Sequence, residues 1–216
     1  TGGAELSTST RPVADAAPRT PQPWSHDADR SVAHTISIGG MNRDFRLYRP
    51  SSATGQVPLV VMLHGGYGSA KQAEDSYGWD AAADQGRFAV AFPDGVGRSW
   101  NAGTCCGPAQ KKHIDDVGFI TAMIAAIERQ MPIDRHRVFV TGMSNGAMMA
   151  LRLACETTVF AAAAPVAGTQ LVDCRNARPM SVLQIHGTAD PRVPYNGGPG
   201  QGFSLRGARV DGPSIP

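Results

Sequence analysis

Three short segments carry residue types that could perform acyl transfer. The first is Gly142-Met-Ser144-Asn-Gly146, inside the run from Val138 to Met149. A serine between two glycines at this spacing, with a buried strand before it and a helix after it, projects its hydroxyl above a sheet edge as a nucleophile. The glycines let the chain turn sharply without a side-chain clash. The backbone N–H of Asn145 is then the natural first donor to an oxyanion. The plainer alternative is a tight turn with an ordinary N-cap serine, and the flanking apolar run and helical pattern argue against it.

The second segment is Leu63-His-Gly-Gly-Tyr-Gly68, directly after an apolar run. A glycine-rich loop there lets backbone N–H groups approach a substrate oxygen, and the second oxyanion donor is expected from Gly66 or Tyr67. His64 is read as a brace for the loop rather than as a base. The third segment is Leu183-Gln-Ile-His-Gly-Thr-Ala-Asp190. A strand end, a glycine and then an aspartate is where this architecture carries its acid, and the order serine, aspartate, histidine fits. Asp190 would hold the histidine's tautomer and stabilise its charged form. Its plain alternative is a turn-capping aspartate before Pro191.

Positioning these segments requires strands that end where the motifs begin. Continuous apolar runs at 58–63, 88–92, 138–141 and 181–185 suit strands buried on both faces of a parallel sheet. Residues 32–38 and 45–48, with Gly39 and Gly40 between them, predict an antiparallel hairpin. Val117, Ile120, Ile124, Ile127 and Met131 recur at helical spacing, so 116–131 is predicted as a helix begun by Asp115 and Asp116 and stopped by Pro132. Further helices are predicted at 145–155 and, more weakly, at 70–85. The order implies an α/β fold of the α/β-hydrolase type, with a mostly parallel sheet after an N-terminal antiparallel hairpin.

The chain has 216 residues and a formal net charge of +2. So small a charge, with no Lys/Arg run, gives no case for nucleic acid or an anionic membrane surface. Cys105, Cys106, Cys155 and Cys174 have no spacing that suits a metal. An even count fits disulfides in an oxidising compartment. A bond between adjacent cysteines is sterically awkward, so each of Cys105 and Cys106 is expected to bond to one of the distant two. Residues 1–30, small and polar with Pro12, Pro18, Pro21 and Pro23, read as a disordered tail of the kind that separates an anchor or export signal from a folded domain.

Leu63-His-Gly-Gly, Phe92-Pro-Asp-Gly95, Ser99-Trp-Asn101, Asp115-Asp-Val-Gly-Phe119, Gly142-Met-Ser-Asn-Gly-Ala147, Ala164-Pro-Val-Ala-Gly168 and His186-Gly-Thr-Ala-Asp190 resemble the polyhydroxybutyrate depolymerase/feruloyl esterase family, including its exported lipoproteins of actinobacteria. The resemblance runs from about residue 32 to the end. It implies an exported or envelope-attached carboxylic-ester hydrolase without a cofactor, with feruloyl, acetyl and hydroxybutyrate-type esters all open as substrates. A lipid anchor upstream of residue 1 is a matching expectation. By carry-over Ser144 is the nucleophile, Asp190 the acid, and Trp100 and Tyr67 lie near the acyl site. Loop packing beside the cysteine pair is an equal reading of Trp100.

One departure stands out. The family's histidine follows the acid, and no histidine follows Asp190. Residues 31–216 therefore read as an incomplete hydrolase domain, with its last strand and helix missing, and the 216-residue chain is expected to be inactive. Two other classes compete: a non-catalytic binding module that keeps the pocket, and an acyltransferase or peptidase of the same architecture.

Overall fold

The computed structural model describes residues 31–202 and 209–215; the expected tail at 1–30 lies outside them. Gly39 and Gly40, at φ 57° and 75°, turn β1 (Val32–Ile38) back on β2 (Met41–Tyr48) as the predicted antiparallel hairpin. The apolar runs follow as β3 (Val57–Leu63) and β4 (Ala89–Pro93), parallel to each other. Leu59, Val61, Leu63, Ala89 and Ala91 are buried at the centre. Fully burying a leucine or valine of this kind stabilises the fold by about 1.5–3 kcal/mol.

Between β3 and β4 the expected single helix is two: α1 (Ala70–Tyr77) and α2 (Trp79–Gly86). Gly78 divides them at φ 72°, a left-handed turn that ends one helix and starts the next. Ser69 caps α1 by accepting from the Gln72 amide at 3.1 Å. After β4 a loop leads to α3 (Gly107–Lys111) and then to α4 (Asp116–Gln130). Phe119, Ile120, Met123, Ile124 and Ile127 of α4 are buried, one face of the predicted helix.

The two aspartates that open α4 do different work. Asp115 is the cap, accepting from the Gly118 amide at 2.8 Å. Asp116 is fully buried and pairs with Arg43 of β2 at 2.7 Å. Its other oxygen accepts from the Asn101 amide at 2.8 Å. The Arg43 guanidinium also lies 3.9 Å from the Phe119 ring centroid. One ion pair thus fastens the 94–101 loop to both the sheet and a helix.

β5 (Ile133–Met143) is longer than the 138–141 run predicts, because Val57 pairs with Ile133 and the strand starts there. His136 is an exposed residue of this strand. α5 (Asn145–Glu156) follows, then β6 (Ala162–Val166), an alanine-rich strand not among the four predicted runs, and β7 (Ser181–Val182). The sheet order is β1-β2-β4-β3-β5-β6-β7. A small ribbon of β8 (Gly198–Pro199) and β9 (Asp211–Gly212) lies apart from it.

Two expectations need correction. The 181–185 run is not buried on both faces: Val182, Leu183 and Ile185 are exposed at the sheet edge. Only Ser181 and Val182 form a regular strand, and the chain beyond it keeps a single bridge, Ile185 to Val166. No described element packs on its outer side. The cysteines also pair differently. Cys155 bonds to Cys174 and Cys105 bonds to Cys106. The end of α5 meets the 168–180 loop with 5.2 Å between the Cys155 and Cys174 Cα atoms, within normal bridging range. Once those two are joined, the adjacent cysteines have only each other.

Candidate active site

The turn from β5 into α5 is built around Ser144, whose backbone sits at φ 53°, ψ −116°. A non-glycine residue rarely adopts this conformation, which costs on the order of 1–3 kcal/mol. The surroundings hold it there. The Ser144 amide donates to the Val166 carbonyl of β6 at 2.9 Å, and the Ser144 carbonyl accepts from the Met148 amide at 3.0 Å. Both flanking glycines are obligatory. A Cβ on Gly142 would meet the Gly146 carbonyl oxygen at 2.5 Å, and one on Gly146 would meet the Leu63 and His64 carbonyl oxygens at 2.5 Å. Ser144 is half-buried and its hydroxyl caps no amide of the helix it opens. The N-terminus of α5 lies directly behind it.

The 64–68 loop packs against this turn; a Cβ on Gly65 would lie 3.9 Å from that of Ser144. His64 fixes the loop. Its Nε2 accepts from the Gly95 amide at 3.0 Å, which leaves the ring proton on Nδ1, 2.8 Å from the Gly65 carbonyl oxygen. Burial holds this imidazole below the ordinary histidine range, in keeping with a neutral ring. The Trp100 ring tilts over it at 4.8 Å between centroids, and the indole N–H donates to the His64 carbonyl at 2.8 Å. Asn145 then clamps Trp100 from the other side. Its Oδ1 accepts from the Trp100 amide at 2.7 Å and its Nδ2 donates to the Trp100 carbonyl at 3.0 Å.

The two expected loop donors differ in their backbone contacts. The Tyr67 amide donates to the Arg98 carbonyl at 2.8 Å and the Gly68 amide to the Gly65 carbonyl at 3.0 Å. Of the two alternatives, Tyr67 is engaged, and the Gly66 amide bonds to no described group. The Asn145 amide is likewise unengaged. Gly66, Tyr67, Ser144 and Asn145 line one pocket of about 250 Å³, with Arg98, Cys106 and Met143 completing its walls.

Asp190 lies beyond the end of β7, the edge strand two places from β5. Its Oδ1 accepts from the Arg192 and Val193 amides at 2.8 and 3.0 Å, so it does cap its own turn. Its Oδ2 stays clear of those amides, with the His186 Nε2 at 3.7 Å. That imidazole nitrogen is itself directed at the Val193 carbonyl, 2.8 Å away. Asp190 does not line the Ser144 pocket, and no described histidine is hydrogen-bonded to Ser144. No metal-binding cluster of His, Cys, Asp or Glu occurs among the described residues.

Residues 44–195 match the family described as esterase PHB depolymerase. The chain belongs to this family. In this family member, 213 aligned residues are 34% identical to the "Putative esterase NocK" of Nocardia uniformis subsp. tsuyamanensis, covering 95% of this chain and 56% of that protein. Identity to feruloyl esterase B of Piromyces equi is 38% over 162 residues, covering 69% of this chain and 29% of the other. The chain thus spans about half the length, or less, of these curated relatives. Among solved structures, a thermostable esterase superposes with a TM-score of 0.63 at 23% identity, over 77% of this chain and 48% of that one. The acetyl xylan esterase of Aspergillus awamori gives a TM-score of 0.56 at 19% identity, over 74% and 60% of the two chains. Both share the α/β-hydrolase fold.

In this esterase-family chain Trp100 is not a pocket residue. It is fully buried, and its contacts are to His64, Asn145 and the core. Sequence reasoning also passed over Arg98, Cys106 and Met143. The only signals were that Met143 adjoins Ser144 and that Arg98 adjoins the Ser99-Trp-Asn101 motif.

The His64 brace makes an acid-sensitive link. Its imidazole is harder to protonate in the fold than in the unfolded chain, so unfolding takes up a proton below about pH 6.5. Stability from this residue is full above that pH and falls as the pH drops below it. Between pH 7.5 and 5 the denaturant midpoint of the wild type should fall relative to that of His64→Gln. An unchanged slope in His64→Gln refutes the assignment.

Proposed function

We propose that this chain carries the acylation site of a carboxylic-ester hydrolase, acting through an acyl-enzyme on Ser144. The observation that carries this reading is the strained Ser144 turn, with the unengaged amides of Asn145 and Gly66 lining the same pocket. In the first step the Ser144 hydroxyl adds to the ester carbonyl carbon, and its proton passes to an imidazole base. The carbonyl oxygen becomes an oxyanion held by the two amides. The tetrahedral intermediate expels the alcohol, which takes the proton back from the base. Water then adds to the acyl-enzyme by the same route and releases the acid. Asp190, with Oδ2 clear of its turn, would orient the base. Neither His64 nor His186 supplies it, since Nε2 of each is committed to backbone.

Feruloyl, acetyl and hydroxyalkanoate esters are the candidate substrates, the first two because the relatives and fold neighbours act on such esters by name. Two disulfides support an extracytoplasmic location. The test is made on the product of the whole reading frame that contains these residues. Incubation with p-nitrophenyl butyrate should release p-nitrophenol. Rapid quenching should leave a butyryl mass increment on the peptide bearing Ser144. Hydrolysis without that adduct, or transfer to an added sugar in preference to water, overturns the reading. Absence of hydrolysis by the full gene product points instead to a binding module.

A further inference from the structure

Among the described residues that line the pocket beside Ser144, Arg98 is the one charged residue. The other lining residues carry no charge; Gly66, Tyr67, Cys106, Pro108 and Met143 are among them. Arg98 sits at φ 60°, in the left-handed region that favours glycine. Its amide donates to the Gly95 carbonyl at 3.0 Å and its carbonyl accepts from Tyr67, so the strained conformation is fixed at both ends. A bulky residue kept at a backbone position suited to glycine points to a use for its side chain.

The guanidinium is aimed rather than loose. Its Nε donates to the Gly68 carbonyl of the loop beside Ser144 at 3.2 Å. That bond uses one of five N–H donors. The two terminal nitrogens have no hydrogen-bond partner among the described residues, and no described carboxylate forms an ion pair with Arg98. A guanidinium that is anchored by Nε and open at its terminal nitrogens presents the planar fork that a carboxylate accepts in two parallel bonds. Arg98 is exposed and no acidic residue lines the pocket, so an anion entering there meets no opposing carboxylate.

We propose that Arg98 is a specificity residue that receives a free carboxylate on the substrate, so that the site prefers esters that also carry an acid group. The proposal rests on reading the Ser144 pocket as the ester site, but its test does not require turnover. Methyl benzoate and the monomethyl ester of benzene-1,4-dicarboxylic acid differ only by one carboxylate. Their binding to the 216-residue chain, and to its Ser144→Ala variant, can be titrated by ligand-observed NMR at low salt. The carboxylate-bearing ester should bind roughly threefold to tenfold more tightly, the range for a half-exposed charge-assisted pair. Arg98→Gln should bring the ratio of the two affinities to about one, whereas Arg98→Lys should keep a preference. Sodium chloride at high concentration should shrink the ratio in the wild type. Thermal melts of both variants check that the fold survives.

A wild-type ratio near one, a ratio unchanged in Arg98→Gln, or no binding of either ester at millimolar concentration overturns the proposal. Because the ratio is read equally in Ser144→Ala, failure of the acyl-enzyme reading would leave this result intact, and the reverse also holds.

Discussion

Gly146→Ala is expected to destabilise the fold by about 2 kcal/mol net, although it adds one methyl group to a helix. The methyl would lie 2.5 Å from the carbonyl oxygens of both Leu63 and His64. These are backbone atoms at the end of β3, and they cannot rotate away as a flexible side chain would. Overpacking of this kind costs about 3 kcal/mol. Replacing glycine by alanine inside a helix returns about 1 kcal/mol in propensity. The steric term wins, and α5 must shift away from the 64–68 loop. Gly187→Ala is the control, since nothing lies within 4 Å of its Cβ position. Chemical denaturation of both variants decides the matter: equal midpoints would refute the close approach of α5 to β3.

Ser144→Ala is expected to lower p-nitrophenyl butyrate hydrolysis by the full gene product by a factor on the order of 10⁴–10⁶. What remains is the roughly 10³–10⁴-fold advantage over water that binding and oxyanion donors supply without the nucleophile. The fold should be unaffected, because alanine fits the same turn and the hydroxyl caps no amide of α5. The described imidazoles at 64 and 186 are committed to backbone groups, so neither can accept the serine proton. Loss of activity accompanied by a collapsed melting curve would make the serine structural instead.

The elements that hold Ser144 were legible because each follows from a local rule. Alternation and two glycines announce the β1–β2 hairpin. Continuous apolar runs announce β3 and β4, and helical spacing announces α4. The serine turn announces itself through Gly142 and Gly146, whose absent side chains the packing requires. What stayed hidden was set by tertiary contact. Trp100 is large and aromatic, which suits a pocket as well as a core. Only the Asn145 clamp and the bond to His64 put it inside. Tyr67 and Gly66 are equivalent loop donors until the Arg98 carbonyl takes one of them. Asp116 reads as a helix-start carboxylate, and nothing near it in sequence reveals Arg43, 73 positions away. β6 is spelled in alanines with Pro165 among them, a composition with weak strand preference that pairing with β5 overrides. The cysteine pairing depended on where the end of α5 meets the 168–180 loop, which no spacing rule contains.

The Asn145 side chain grips both the amide and the carbonyl of Trp100, as a neighbouring strand would. Aspartate could match only the accepting half of that grip, and leucine neither half. The same residue offers its own amide to the pocket. The loops at 64–68, 95–101 and 142–148 are therefore a single interlocked part. Anyone grafting this chemistry onto another scaffold, or shuffling it between relatives, would have to move all three together as one cassette. A swap of the serine turn alone would bring the reactive group and leave behind the fasteners that aim it.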